Sequence, residues 1–166
     1  MTPDRDWILA AVTRFERPLL AYVRRMLPDA DRGRDVVQEA FLQLCQQSRL
    51  ELEPRLAPWL FAVCRRKVID ILRKDHRMIA TLDPAADAPA RGPDPTQTAE
   101  TTDTARVVLA RLAQLPAEQT EAVRLRFHNQ FSYREIAEVM GLTESHVGVL
   151  LHTALKTLRQ SLPHLT

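Results

Sequence analysis

Between Phe131 and Arg159 the chain reads FSYREIAEVMGLTESHVGVLLHTALKTLR, and the spacing inside this stretch leaves few folds open. Ser132 can cap a short helix, and Glu135, three residues on, can reach back to complete a capping box. Ile136, Ala137 and Met140 then share one face of that helix. Gly141 stands where a tight turn needs a left-handed backbone. Leu142 plugs the turn, and Thr143 caps a second helix with an inner face of Val147, Leu150, Leu151, Ala154 and Leu158. Ala137 is small where two helices must cross closely. An ordinary helical hairpin shares the outline, but a small residue, a glycine and a buried valine at these offsets together predict a helix-turn-helix. The second helix of such a motif lies in the DNA major groove. Its outward positions here are Glu144, Ser145, His146, Gly148, Val149, His152, Thr153 and Lys156.

The rest of the chain has the same helical character. Apolar residues recur at helical spacing nearly throughout, so an all-α protein is expected. A net charge of +2 looks weak for a nucleic-acid partner, but the charge is unevenly spread. Residues 1–78 hold fifteen Lys and Arg against eleven Asp and Glu, residues 79–103 hold one against five, and residues 104–166 hold seven against five. An acidic middle therefore masks two basic ends. That middle also holds four prolines and the aperiodic run DPAADAPARGPDP, which predicts a flexible acidic, Pro-rich linker over 79–103 between helical domains at 1–78 and 104–166.

Taken in order, Thr2-Pro3-Asp4 starts a helix with apolar stripes at Trp7, Ile8, Ala11, Val12 and Phe15 and at Leu19, Leu20, Val23 and Leu27. Pro18 either kinks this run or begins a second helix. Arg32 to Gln47 forms the next, burying Val36, Val37, Ala40, Phe41, Leu44 and Cys45 and turning Asp35, Gln38, Glu39, Leu42 and Gln43 elsewhere. Ser48 to Pro58 is short and irregular. Trp59 to Arg77 is a helix with Leu60, Val63, Cys64, Val68, Ile71 and Leu72 inside. Its other face carries Arg65, Arg66, Lys67, Arg73, Lys74 and Arg77. Those cations beside Trp59 and Phe61 suit a phosphate backbone and unpaired bases, or else a solvated face over core aromatics. Beyond the linker, a helix from Val107 to Leu115 stops at Pro116, and the next turns Ala122, Val123, Leu125 and Phe127 toward a core.

Three separated blocks resemble a known family in that family's order. Asp35-Val36-Val37-Gln38-Glu39-Ala40-Phe41-Leu42 is similar to the D-L-V-Q-E-x-F-L helix of region 2 in bacterial sigma factors of the small, extracytoplasmic-function (ECF) type. Trp59-Leu60-Phe61, Val68-Ile69-Asp70 and Leu72-Arg73 resemble the W-L-x-x-I-A-x-N-x-x-I-D-x-L-R stretch, and Leu115-Pro116 with Tyr133 to Gly141 resembles region 4. The resemblance spans nearly the whole chain. It implies that Asp35, Gln38, Glu39 and Leu42 dock on the clamp of the β′ subunit of core RNA polymerase. It implies that Trp59, Phe61, Arg65, Arg66, Lys67, Arg73 and Lys74 engage the −10 DNA, with the loop from Leu50 to Pro58 taking a flipped base. It assigns −35 DNA to Ser145, His146, Gly148, Val149, His152, Thr153 and Lys156. An anti-sigma factor holds many members of the family inactive. Two departures stand out: Val63-Cys64-Arg65-Arg66 replaces I-A-R-N, and the outward positions named for the second helix of the motif hold one cation, Lys156, where members often carry several.

The implied function is a sigma factor that binds core polymerase and directs promoter-specific initiation. The alternative is a free-standing helix-turn-helix transcriptional regulator, which has no use for the Asp35–Leu42 block or the basic aromatic helix behind it. An enzyme is not expected. The chain lacks G-x-x-x-x-G-K-[ST], H-E-x-x-H and G-x-S-x-G, and His146 and His152 are six apart rather than four. Cys45 and Cys64 read as buried thiols without metal-ligand spacing, so no cofactor or metal is expected. The N-terminus has charges inside its apolar stretch and no cleavage pattern, and no run approaches membrane-spanning length. The expected location is cytoplasmic, with no membrane insertion.

Overall fold

The computed structural model describes residues 4–82 and 103–161, and every regular element among them is helical. The chain divides into two compact units, Met1–Asp94 and Pro95–Thr166. Most of the expected linker, residues 83–102, lies outside the described residues. Ile79 to Leu82, at its start, are helical.

In the first unit α1 (Arg5–Met26), α2 (Ala30–Leu44) and α4 (Leu56–Leu82) pack on one another. Asp4 caps α1 by accepting from the Trp7 amide at 3.3 Å. Pro18 lies inside α1, so one helix spans the run rather than two. Trp7, Ala11, Phe15, Leu19 and Tyr22 repeat every three or four residues along its buried side. Asp29 caps α2 through the amides of Asp31 and Arg32, at 3.0 and 3.3 Å. Gly33 is buried where α2 crosses α1, and a Cβ there would come within 3.4 Å of Val23 Cγ1. From α4, Leu60, Phe61, Cys64 and Val68 complete the core, with the Phe61 and Tyr22 rings 5.0 Å apart.

Several expectations are corrected here. Ser48 to Pro58 is ordered as a short helix α3 (Arg49–Leu52), a 3₁₀ turn at Glu53–Arg55 and the start of α4. Pro54 and Pro58 permit this because both occupy first-turn positions, where the missing N–H has no intrahelical partner to lose. Leu52 anchors α3 by burial, and Arg49 bonds both to Asp4 at the head of α1 and to Glu53. Cys45, expected inside, is exposed: one turn after Phe41, it borders an open groove between α1 and α2 and not the core. Phe41 is only half-buried. Leu72 is 38% exposed, since α4 outruns the two helices it packs against.

In the second unit α5 (Asp103–Gln114), α6 (Ala117–Phe127) and α7 (Tyr133–Met140) all contact α8 (Glu144–Ser161). The buried Thr120 hydroxyl donates to Leu112 O at 2.9 Å, closing the last turn of α5 onto α6. Phe127 is 59% exposed rather than in the core, whereas Phe131 is buried. Ser132 accepts from the Glu135 amide at 3.1 Å while Glu135 Oε1 accepts from the Ser132 amide at 2.9 Å, so the capping box is formed. Gly141 has φ 67 and ψ 36, and Thr143 Oγ1 accepts from the His146 amide at 3.1 Å. A residue with a Cβ is penalised at this left-handed position. Gly141→Ala should therefore destabilise the protein by ~1–2 kcal/mol, read as a lower midpoint in chemical denaturation monitored by circular dichroism. An unchanged midpoint would show that the turn relaxes without cost.

Candidate nucleic-acid interface

The two helices that sequence reasoning singles out for DNA present different surfaces. On α8 the inner residues Val147, Leu150, Leu151 and Ala154 are buried, and Leu158 is half-buried. Glu144, Ser145, His146, Val149, His152, Thr153 and Lys156 are all exposed. Ser145, Val149, His152 and Lys156 recur every three or four residues, so they form the central stripe of the outward face. Gly148 sits at the edge of that stripe and is half-buried. Its missing Cβ would lie 3.7 Å from Cε2 of Tyr133. That is an ordinary van der Waals distance, so the α7–α8 contact would accept a Cβ here. The Arg126 guanidinium stacks 5.2 Å from the centre of the Tyr133 ring and donates to Phe131 O at 3.0 Å. Arg126 and Tyr133 thus extend the basic, aromatic edge beside α8. Sequence spacing did not single them out, because the stack joins two helices across a turn.

On α4, Trp59, Arg66, Asp70, Arg73 and Arg77 lie along one face, separated by seven, four, three and four residues. Trp59 is half-buried, while Arg66, Arg73 and Lys74 are exposed. Arg65 is half-buried. Phe61 is withdrawn from this face: it is 1% exposed and packs on Tyr22, pointing opposite to Trp59 across the helix. Lys67 is also less available than expected, because its Nζ pairs with Glu39 Oε1 at 3.0 Å. That bond ties a residue expected at DNA to one expected at polymerase, and they are 28 positions apart. No local pattern could have shown it. Further along α4, Arg32 grips Asp75 through two bonds of 2.7 and 3.1 Å. This contact holds the Asp75 carboxyl below its usual range, so the stability it lends is present above that range and is lost as pH falls through it.

On α2, Asp35, Gln38 and Leu42 are exposed, Leu42 at 66%, and Glu39 is half-buried. Gln38, Phe41 and Leu42 border a groove of about 410 Å³ between α1 and α2, floored by Ile8, Val12 and Val37. Phe41 thus belongs to a surface recess and not to the core. Cys64 is buried, which pushes its thiol up to about 12 and leaves it protonated at neutral pH. Among the described residues no cluster of three or more His, Cys, Asp or Glu could hold a metal, and no helix is long and apolar enough to cross a membrane.

Comparison with known proteins agrees along the chain. Residues 11–78 match the model of sigma-70 region 2, and residues 105–158 match that of sigma-70 region 4. The chain is 31% identical over 153 residues to the ECF RNA polymerase sigma factor SigL of Mycobacterium tuberculosis, covering 89% of this chain and 84% of the relative. It is 26% identical over 152 residues to SigX of Bacillus subtilis, another ECF RNA polymerase sigma factor, covering 88% and 78%. In fold it is similar to the sigma factor RpoE from Bartonella quintana, solved in complex with the anti-sigma factor NepR. The TM-score is 0.67 at 20% identity, over 95% of this chain and 97% of that one.

The difference between paired and unpaired cations on α4 is measurable. Arg73 and Lys74 pair with no carboxylate among the described residues, whereas Lys67 is paired with Glu39. For the full chain with core polymerase on promoter DNA, Arg73→Ala with Lys74→Ala should flatten the plot of log affinity against log salt by about 1.4–1.8. Lys67→Ala should change it by well under half of that. A change of about 0.7–0.9 for Lys67→Ala, the value for one full phosphate contact, would show that the Glu39 pair opens when DNA binds.

Proposed function

The chain belongs to the sigma-70 family as an ECF RNA polymerase sigma factor, and from that premise we propose how its surfaces divide the work of promoter-directed initiation. It binds core RNA polymerase and promoter DNA and confers promoter selectivity. We assign core binding and −10 engagement to residues 1–78, a linker to 79–103 and −35 engagement to 104–166, with α4 continuing four residues beyond the first boundary. The clamp of the β′ subunit docks on Asp35, Gln38, Glu39 and Leu42, and Phe41 enlarges the apolar part of that surface. Trp59, Arg65, Arg66, Arg73 and Lys74 engage the −10 DNA. Lys67, paired with Glu39, contributes less than these. The outward face of α8 engages the −35 element. The protein has no catalysis of its own and acts in the cytoplasm, and an anti-sigma factor is its further partner.

The observation that carries this reading is that one compact unit exposes two chemically different helix faces. One, on α2, combines carboxylates with a bare leucine and an apolar groove. The other, on α4, combines cations with a half-exposed indole. A free-standing regulator uses neither. The test is transcription in vitro on genomic fragments. Core polymerase plus this chain should start at discrete sites where core alone does not. Asp35→Arg with Leu42→Asp should lower affinity for core at least tenfold, the scale expected when charge is reversed and an apolar contact removed in a desolvated interface. Its thermal unfolding should be unchanged, since both side chains are exposed. Full affinity in that variant would remove α2 as the docking surface.

A further inference from the structure

The outward face of α8 lacks the side chains that usually read bases. From Glu144 to Thr153 there is no Arg, Lys, Asn or Gln. Guanine is commonly read by paired donors from Arg or Lys, and adenine by Asn or Gln, so neither bidentate pattern is open to this segment. The cations on that face, Lys156 and Arg159, lie seven and ten residues beyond Val149, the nearer about 10 Å along the helix axis. A recognition helix addresses base edges with its N-terminal part, which leaves Lys156 and Arg159 nearer the phosphates.

What occupies the middle of the stripe is an apolar side chain. Val149 is 62% exposed, with Ser145 one turn before it and His152 and Thr153 one turn after. It takes no part in the core, which α8 builds from Val147, Leu150, Leu151 and Ala154. A β-branched residue is a poor choice for an exposed helix position on propensity alone. The apolar group displayed in the major groove is the C5 methyl of thymine.

We infer that Val149 is a specificity-determining residue and that it reads thymine methyl groups in the −35 element. The inference rests on the assignment of α8 to that element. In the major groove Val149 covers a methyl while Ser145 and Thr153 adapt to whichever polar edge adjoins it. Selectivity then comes from shape and from one apolar contact, not from a charged fork on guanine.

The experiment uses holoenzyme assembled from the full chain and core polymerase. A duplex pool randomised across the upstream element is selected with the wild type and with Val149→Ala. The duplex recovered with the wild type is then remade with uracil for thymine at each position in turn, which deletes only the C5 methyl. Thymine should be enriched at a fixed position. Uracil there should weaken wild-type binding about fourfold, equivalent to ~0.8 kcal/mol for one buried methyl group. Val149→Ala should bind the thymine duplex about as weakly as the wild type binds the uracil one, and should not distinguish the two. Alanine favours helix and the site is exposed, so the variant should keep its fold; circular dichroism verifies this. If uracil is tolerated at every position, or Val149→Ala prefers thymine as strongly as the wild type does, the inference fails. If the holoenzyme enriches no sequence and initiates nowhere, the sigma-factor reading itself fails, and this inference falls with it.

Discussion

At Gly141 the backbone passes through φ 67 and ψ 36, and the outward face of α8 depends on that passage. The turn is flanked by the Ser132–Glu135 box at the head of α7 and by Thr143 at the head of α8. Each cap is worth ~1 kcal/mol, less than the ~2–5 kcal/mol lost when a buried leucine such as Leu151 is cut to alanine. The core therefore supplies most of the stability, and the turn supplies the angle. With the angle fixed, Val147, Leu150, Leu151 and Ala154 must face inward, and Ser145, Val149, His152 and Lys156 can only face out. The Arg126–Tyr133 stack supports the same motif from its edge.

The first unit solves a related problem with a longer helix. Among the α4 side chains described, the last buried one is Val68, yet the helix continues to Leu82. Beyond Val68 the paired bonds from Arg32 to Asp75 tie the helix to α2. The exposed side is left to Arg73, Lys74 and Arg77. An overhanging helix of this kind can display cations without burying any of them. The Lys67–Glu39 pair, with both side chains about two-fifths exposed, contributes roughly 0–1 kcal/mol in such a setting. It is weak enough to be exchanged when a partner competes for either end, which makes it a chemical link between the α2 and α4 faces.

The amino-acid sequence by itself determined whatever depends on near neighbours along the chain. The capping box, the left-handed glycine, the Thr143 cap and the inner face of α8 are all set by residues within four positions of one another, and hydrogen bonds at that range follow from spacing alone. The helical class, the two-unit organisation and the family resemblance followed from the same periodicity and from three quoted blocks. Tertiary structure alone decided which of two aromatics two positions apart is withdrawn: Phe61 enters the core against Tyr22 of α1, and Trp59 stays half-buried. It also decided that Cys45 and Phe127 are exposed, that Phe41 lines a groove, and that the stretch from Ser48 to Pro58 is helical. Each of these depends on where a helix ends relative to its neighbour, which periodicity does not report. The Arg32–Asp75 and Lys67–Glu39 pairs join residues 43 and 28 positions apart, and only the packing of α2 against α4 brings them together.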